Sequence, residues 1–247
     1  MSNIYETDRL LAEYLLFHYG SAEEIVPYAF GPSDALDFSV RCAGLCRDLP
    51  AIPRHARALD VGCAVGRSSF ELARFCDSVT GIDFSHRFIE AANELKSNNS
   101  LPFDRLDEGA RTTRCVARVP SDIPRERVSF ETGDAMNLRG DLGEFDIVLA
   151  ANLLCRLTDP AKFLARLPLL VKAGGWLVLT TPCTWLEEFT PRANWLCGEN
   201  SATIDGLHHY LDAYFDLVKT QDLPFLIREH ARKFQWTVAQ GSVWKRK

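Results

Sequence analysis

The stretch Ala58-Leu59-Asp60-Val61 is a short apolar run interrupted by one acid. It passes directly into Gly62-Cys63-Ala64-Val65-Gly66 and then into an amphipathic segment opened by Arg67. A strand, a turn bounded by small residues and a helix, in that order, leave few folds open, because the helix must carry the chain back to a parallel strand. That strand is Ser78–Asp83, and it closes on Gly81-Ile82-Asp83. Small residues in the first turn let a ligand approach the backbone, and an acid at the tip of the second strand can hold a ribose by its hydroxyls. Together they narrow the ligand to a nucleotide-like molecule.

The alternation continues. Further strands are expected at Val128–Thr132, Phe145–Ala150 and Trp176–Thr181. Helices fall at Gly66–Phe75, from Ser85 to about Lys96, and from Asp159-Pro160, where proline takes the first helical position, to Gly174-Gly175. This predicts a doubly wound, mostly parallel α/β sheet. A helix over Thr203–Tyr214 precedes two closely spaced strands, Phe215–Leu223 and Phe234–Trp244, which read as an antiparallel pair finishing the sheet. Residues 1–50 are helical: Thr7 caps the first helix, Ser21-Ala22-Glu23-Glu24 fits a capping box, and Ser33 opens a third. Residues 97–126 are polar, contain prolines and have no clear period, so they read as an irregular insertion. The organisation is one domain, with a cap (1–50), a ligand-binding core (57–182) and a segment (183–247) that covers a substrate.

Composition excludes several classes. A net charge of −5 argues against nucleic acid as a partner. No apolar run reaches the length of a transmembrane helix, and Met-Ser-Asn-Ile-Tyr-Glu-Thr-Asp has no signal-peptide character, so the expected location is cytoplasmic and away from membranes. Eight cysteines without a CxxC pair or zinc spacing read as reduced thiols and not as a metal site.

The first turn reads Asp-x-Gly-x-Ala-x-Gly. A carboxylate at Asp60 opposes the phosphates of a dinucleotide but suits a cationic amino acid end, which favours S-adenosylmethionine over NAD. The turn resembles motif I of the class I methyltransferases, with Ala64 where many members have glycine. That resemblance implies a Rossmann-like, seven-stranded sheet. It also implies cofactor contacts from Asp60, Gly62, Cys63, Gly66 and Arg67, from Asp83 to the ribose hydroxyls, and from Phe84 to the adenine. Asp134, Ala135 and Met136 would meet the adenine amino group, and Asn152 and Leu153 the methionine end.

Above the strand ends, tyrosines of the N-terminal part, Trp185, Glu187 and Glu188, and the charged run Arg228–Lys233 describe a small polar acceptor under aromatic walls. Tyr5 to Gly20, Leu59 to Arg67, Ala150 to Leu154, Thr184 to Pro191 and Pro224 to Trp236 together resemble the mercaptohistidine N-methyltransferase family of ovothiol biosynthesis. The resemblance implies methylation of the π nitrogen of 5-thiohistidine, with S-adenosylhomocysteine as the by-product. It points to a free-standing enzyme, with sulfur insertion left to a separate iron-dependent sulfoxide synthase. Within that reading His230, Glu187 and Glu188 are candidate bases. Tyr5, Arg9, Tyr14, Tyr28, Asn152, Arg156, Trp185, Glu188 and Arg228 are candidate substrate contacts, and Tyr14, Tyr28 and Trp185 form a wall that turns the sulfur away from the methyl. Two alternatives stay open: a class I methyltransferase for another small amine, thiol or hydroxyl, and a non-catalytic S-adenosylmethionine-binding module.

Overall fold

In a computed structural model that describes residues 4–247, the chain runs through α1 (Asp8–Tyr19), α2 (Ala22–Ile25), α3 (Phe38–Arg47), β1 (Arg57–Val61), α4 (Arg67–Leu72), β2 (Ser78–Asp83) and α5 (His86–Asn98). It continues through β3 (Ser100–Glu108), β4 (Arg111–Arg118), β5 (Val128–Thr132), β6 (Phe145–Ala151), α6 (Pro160–Arg166), β7 (Val171–Thr181), α7 (Thr203–Leu211), β8 (Phe215–His230) and β9 (Lys233–Arg246). Met1, Ser2 and Asn3, the start of the expected cap, lie outside the described residues. Seven strands form one sheet in the order β5-β2-β1-β6-β7-β9-β8. The first five are parallel, and β9 joins β7 antiparallel with β8 beyond it at the edge. This is the Rossmann-like methyltransferase fold that the sequence predicts.

Side-chain alternation sends the strands' apolar residues to two cores. Ile147, Leu149 and Val178 pack with the cap and with α4 and α5, while Val148, Ala150 and Leu179 pack under α6 and α7. On β1, Leu59 and Val61 face the second core and leave Asp60 on the cap side. Three of the expected helix starts form, while Ser33 opens only a 3-10 turn and α3 begins at Phe38 after Asp37. Thr7 Oγ1 accepts from the Leu10 amide at 3.3 Å, Ser21 and Glu24 make the reciprocal box, and Ser85 caps α5.

Three expectations are corrected. Residues 97–126 are not irregular: β3 and β4 form an antiparallel hairpin turning at Gly109, with only Phe103, Cys115 and Ala117 of their apolar residues buried. Cross-strand charges such as Arg114–Asp104 hide its period. The helix opened by Pro160 stops at Arg166, because Pro168 has no amide hydrogen to continue it, and Gly174-Gly175 lies inside β7. The expected long turn after Leu223 is strand. β8 continues to His230, and Pro224 is tolerated there because β8 is the sheet edge. Only Ala231 and Arg232 remain as the turn.

Candidate active site

The parallel strands diverge on either side of β1 and β6, so their carboxyl ends open a crevice at this switch point. The turn after β1 is tied down from several directions. The Gly62 and Cys63 amides donate to the Ile82 carbonyl at 2.7 and 3.1 Å, and the Tyr19 hydroxyl donates to the Val65 carbonyl at 2.7 Å. Gly66 takes φ +86°, and a Cβ there would stand 2.6 Å from the Phe130 ring. Asp83 fixes the geometry further: one carboxylate oxygen accepts from the Ala64 amide at 2.8 Å and the other from the Ser85 amide at 2.9 Å. After β6, Asn152 adopts φ +53°; its amide donates to the Thr180 carbonyl, and its side-chain oxygen accepts from Thr180 Oγ1 at 2.9 Å. The Nδ2 group of Asn152 is thereby aimed from a locked side chain.

These ends line a cavity of about 710 Å³. Asp60, Gly62, Cys63, Asp83, Phe84, Asp134, Ala135, Met136, Asn152 and Leu153 all border it. Phe84 is 63% exposed, a free aromatic face at the cavity rim beside Asp83. Asp134 is turned by its own loop, accepting from the Met136 amide at 2.8 Å. Gly66 and Arg67 stand behind the turn. Arg67 lies over the Tyr19 ring and pairs with Glu71 at 2.9 Å.

Of the expected acceptor contacts, Tyr5, Tyr14, Asn152, Arg156 and Glu188 border the same cavity. The Tyr14 and Tyr5 hydroxyls are hydrogen-bonded to each other, and Tyr5 accepts from Arg156. Burial raises both phenols above their usual range, Tyr14 far above it, so both are neutral. The remaining candidates lie elsewhere. Arg9 is on the outer face of α1, paired with Glu13. Tyr28 donates to the Ala231 carbonyl at the β8–β9 turn, and Trp185 is core, its indole N–H donating to Thr203 at 2.9 Å. Arg228 is buried against Asp107 and the Glu24 carbonyl, tying β8 to the β3–β4 hairpin and α2. His230 accepts from the Arg232 amide in the turn, and Glu187 is exposed away from the cavity, which leaves Glu188 as the cavity member of the three candidate bases. Tyr14 is the only member of the expected wall that borders the cavity. Phe17, Phe38, Phe88, Phe189 and Phe225 supply the rest, together with His18 and Ser39. Helical periodicity alone did not separate these residues from core.

Residues 59–179 match the family described as a methyltransferase domain. The chain carries a class I, S-adenosylmethionine-dependent methyltransferase domain. Among curated relatives, the chain is 28% identical over 165 residues to the 2-methyl-6-phytyl-1,4-hydroquinone methyltransferase of Synechocystis, covering 66% of this chain and 42% of that one. It is 33% identical over 125 residues to the ubiquinone biosynthesis O-methyltransferase of Rhodopseudomonas palustris, covering 51% and 39%. The chain thus spans about two fifths of the length of these relatives. A solved structure of the N-methyltransferase NodS of Bradyrhizobium japonicum shares the fold, with a TM-score of 0.53, 16% identity and coverage of 83% and 94%.

The residues present fit the cofactor that this family implies. Asp60 is 1% exposed beneath the turn, with Ser69 Oγ donating to it at 2.6 Å. Burial pushes its carboxyl up to about 7, and the nearby Asp83 charge adds to the rise. A buried carboxyl with this affinity for protons is a site for a cation. Because its folded value lies above its unfolded one, Asp60 opposes folding increasingly as pH rises from about 4 to about 7. A cationic ligand reverses that penalty only when Asp60 is ionised. S-adenosylmethionine affinity is therefore expected to fall as pH drops from about 8 to about 6, and Asp60→Asn should flatten the dependence. Titration calorimetry across that range checks it, and a pH-independent wild type would remove Asp60 from the cofactor's charge balance.

Proposed function

We propose that the protein methylates the π nitrogen of 5-thiohistidine, using S-adenosylmethionine and giving ovothiol A. The observation that supports this reading is the company of Arg156 and Glu188 at one cavity, with the Tyr14–Tyr5 hydroxyl pair, Phe88 and Phe189 also bordering it. Arg156 stacks 4.6 Å from the Phe189 ring, so its guanidinium is held in place. An amino acid with a flat ring suits this set: its carboxylate pairs with Arg156, its ammonium with Glu188, and its ring lies between aromatic faces.

S-adenosylmethionine supplies an electrophilic methyl on a sulfonium. The chain's own part is alignment and water exclusion, which are worth about 7–11 kcal/mol in favourable cases. Tyr14 and Phe88, 4.7 Å apart between ring centroids, form an aromatic wall at the cavity, and in this reading that wall has the task of turning the sulfur away from the methyl. The proton the ring sheds leaves to solvent at the open side of the cavity, where Glu188 is exposed.

Incubating the protein with S-adenosylmethionine and 5-thiohistidine, histidine or a catechol tests the reading by mass spectrometry and NMR. One methyl on the ring nitrogen of 5-thiohistidine is expected, and Arg156→Leu should raise KM for that acceptor about tenfold or more. Methylation of the catechol alone would favour the second reading, a phenolic acceptor, which the hydroquinone and O-methyltransferase names of the relatives suggest.

A further inference from the structure

Three carboxylates, Asp60, Asp83 and Asp134, border the cavity. On its cap flank, where α1 meets α3 beside the first turn and to which Asp60 also points, the other bordering polar groups are His18, Ser39 and Ser68. His18 Nδ1 lies 3.3 Å from Ser39 Oγ, and Ser68 Oγ donates to the Ser39 carbonyl at 3.1 Å, which locks α3 to α4. Among the described residues, the other ring nitrogen of His18 has no hydrogen-bond partner.

Arg67 stands just behind this flank, paired with Glu71 through one end of its guanidinium and with its Nε buried and without an acceptor. Burial, with the Arg67 charge as the second cause, pulls the His18 imidazole down to about 3, so the ring is neutral at every working pH. The tautomer decides which of Ser39 Oγ and His18 Nδ1 donates; the one in which the serine hydroxyl donates leaves the ring proton on Nε2. In that tautomer Nε2–H is a donor at the cavity border, within reach of the Arg67 charge.

We propose that His18 Nε2–H holds the carboxylate of the cofactor's amino acid end, while its ammonium turns to Asp60, and that Ser39 is a positioning residue that fixes the His18 tautomer. Both residues lie before the stretch that matches the methyltransferase family, so the helical cap completes the cofactor site as well as covering the acceptor. The inference rests on S-adenosylmethionine as the cofactor and not on the identity of the acceptor.

Titration calorimetry with S-adenosylmethionine and with its decarboxylated analogue tests it. His18→Leu should weaken S-adenosylmethionine about tenfold to a hundredfold and change the analogue less than about twofold. Ser39→Ala should show a smaller loss with the same selectivity, and His18→Gln, which keeps a donor, should recover part of the affinity. Equal losses for both ligands, or none for either, overturn the inference, because the pair then only shapes the cavity or the carboxylate lies elsewhere. A wild-type protein that binds neither ligand overturns the cofactor assignment itself, an outcome distinct from both. Ser39→Ala and His18→Gln keep the test decisive if His18→Leu does not fold.

Discussion

Asp83→Ala is expected to weaken S-adenosylmethionine binding by about a hundredfold or more. Two charge-assisted hydrogen bonds to ribose hydroxyls are worth about 1.5–3 kcal/mol each, and the tenfold unit is about 1.4 kcal/mol. The carboxylate has a second duty, since it already accepts from the Ala64 and Ser85 amides and thereby joins the first turn to the start of α5. Ala64 sits in the left-handed region at φ +48°, a conformation an alanine holds only when its surroundings impose it. The substitution should therefore lower the unfolding temperature as well as the affinity. Asp83→Asn, which keeps one acceptor, should fall between. Calorimetry and thermal unfolding measured together separate the two duties, and full affinity in Asp83→Ala would place the ribose elsewhere.

Arg228→Leu is expected to destabilise the protein by about 3 kcal/mol while leaving KM for the acceptor unchanged. The guanidinium is buried with one hydrogen bond to Asp107 at 3.1 Å and another to the Glu24 carbonyl at 2.7 Å. Removing one partner strands the Asp107 carboxylate, and stranded charges of this kind cost about 3–5 kcal/mol; the lower figure applies because Arg105 still reaches Asp107. Denaturant unfolding and steady-state kinetics on the same variant decide the matter. A raised KM with unchanged stability would return Arg228 to the acceptor site.

The contrast between these two residues shows what could be read from the chain. Asp83 was legible because a strand ending in an acid after a glycine-bearing turn places that acid by topology alone. The sheet, its switch point and the strand-end residues that border the cavity follow from the same logic, since strand ends are fixed by hydrophobic runs. Arg228, His230 and Tyr28 were not placed, because their roles depend on how far β8 runs, and Trp185 was not, because its partner Thr203 lies at the start of α7. An edge strand containing Pro224 looks like a turn in sequence, and lengthening it carries Arg228 under the β3–β4 hairpin and His230 to the turn at its far end. His18 was hidden for a different reason. On an amphipathic helix a histidine beside Phe17 reads as core, and only the folded structure brings Ser39 of α3 to one ring nitrogen and sets His18 at the cavity border.

The position of β9 bears on how this molecule is made. β9 lies between β7 and β8, and Phe17 of α1 meets Phe225 of β8 with ring centroids 6.0 Å apart. The walls of the cavity therefore join segments some two hundred residues apart in the chain, contacts of the kind that slow folding because loop entropy is spent before they form. The chain up to Thr181 contains the strands that carry the nucleotide turn and the cap side of the cavity, while Glu188, Phe189, Phe225 and Ile227 come from the segment after it. The acceptor's enclosure is therefore complete only when the last hairpin docks on the first helix.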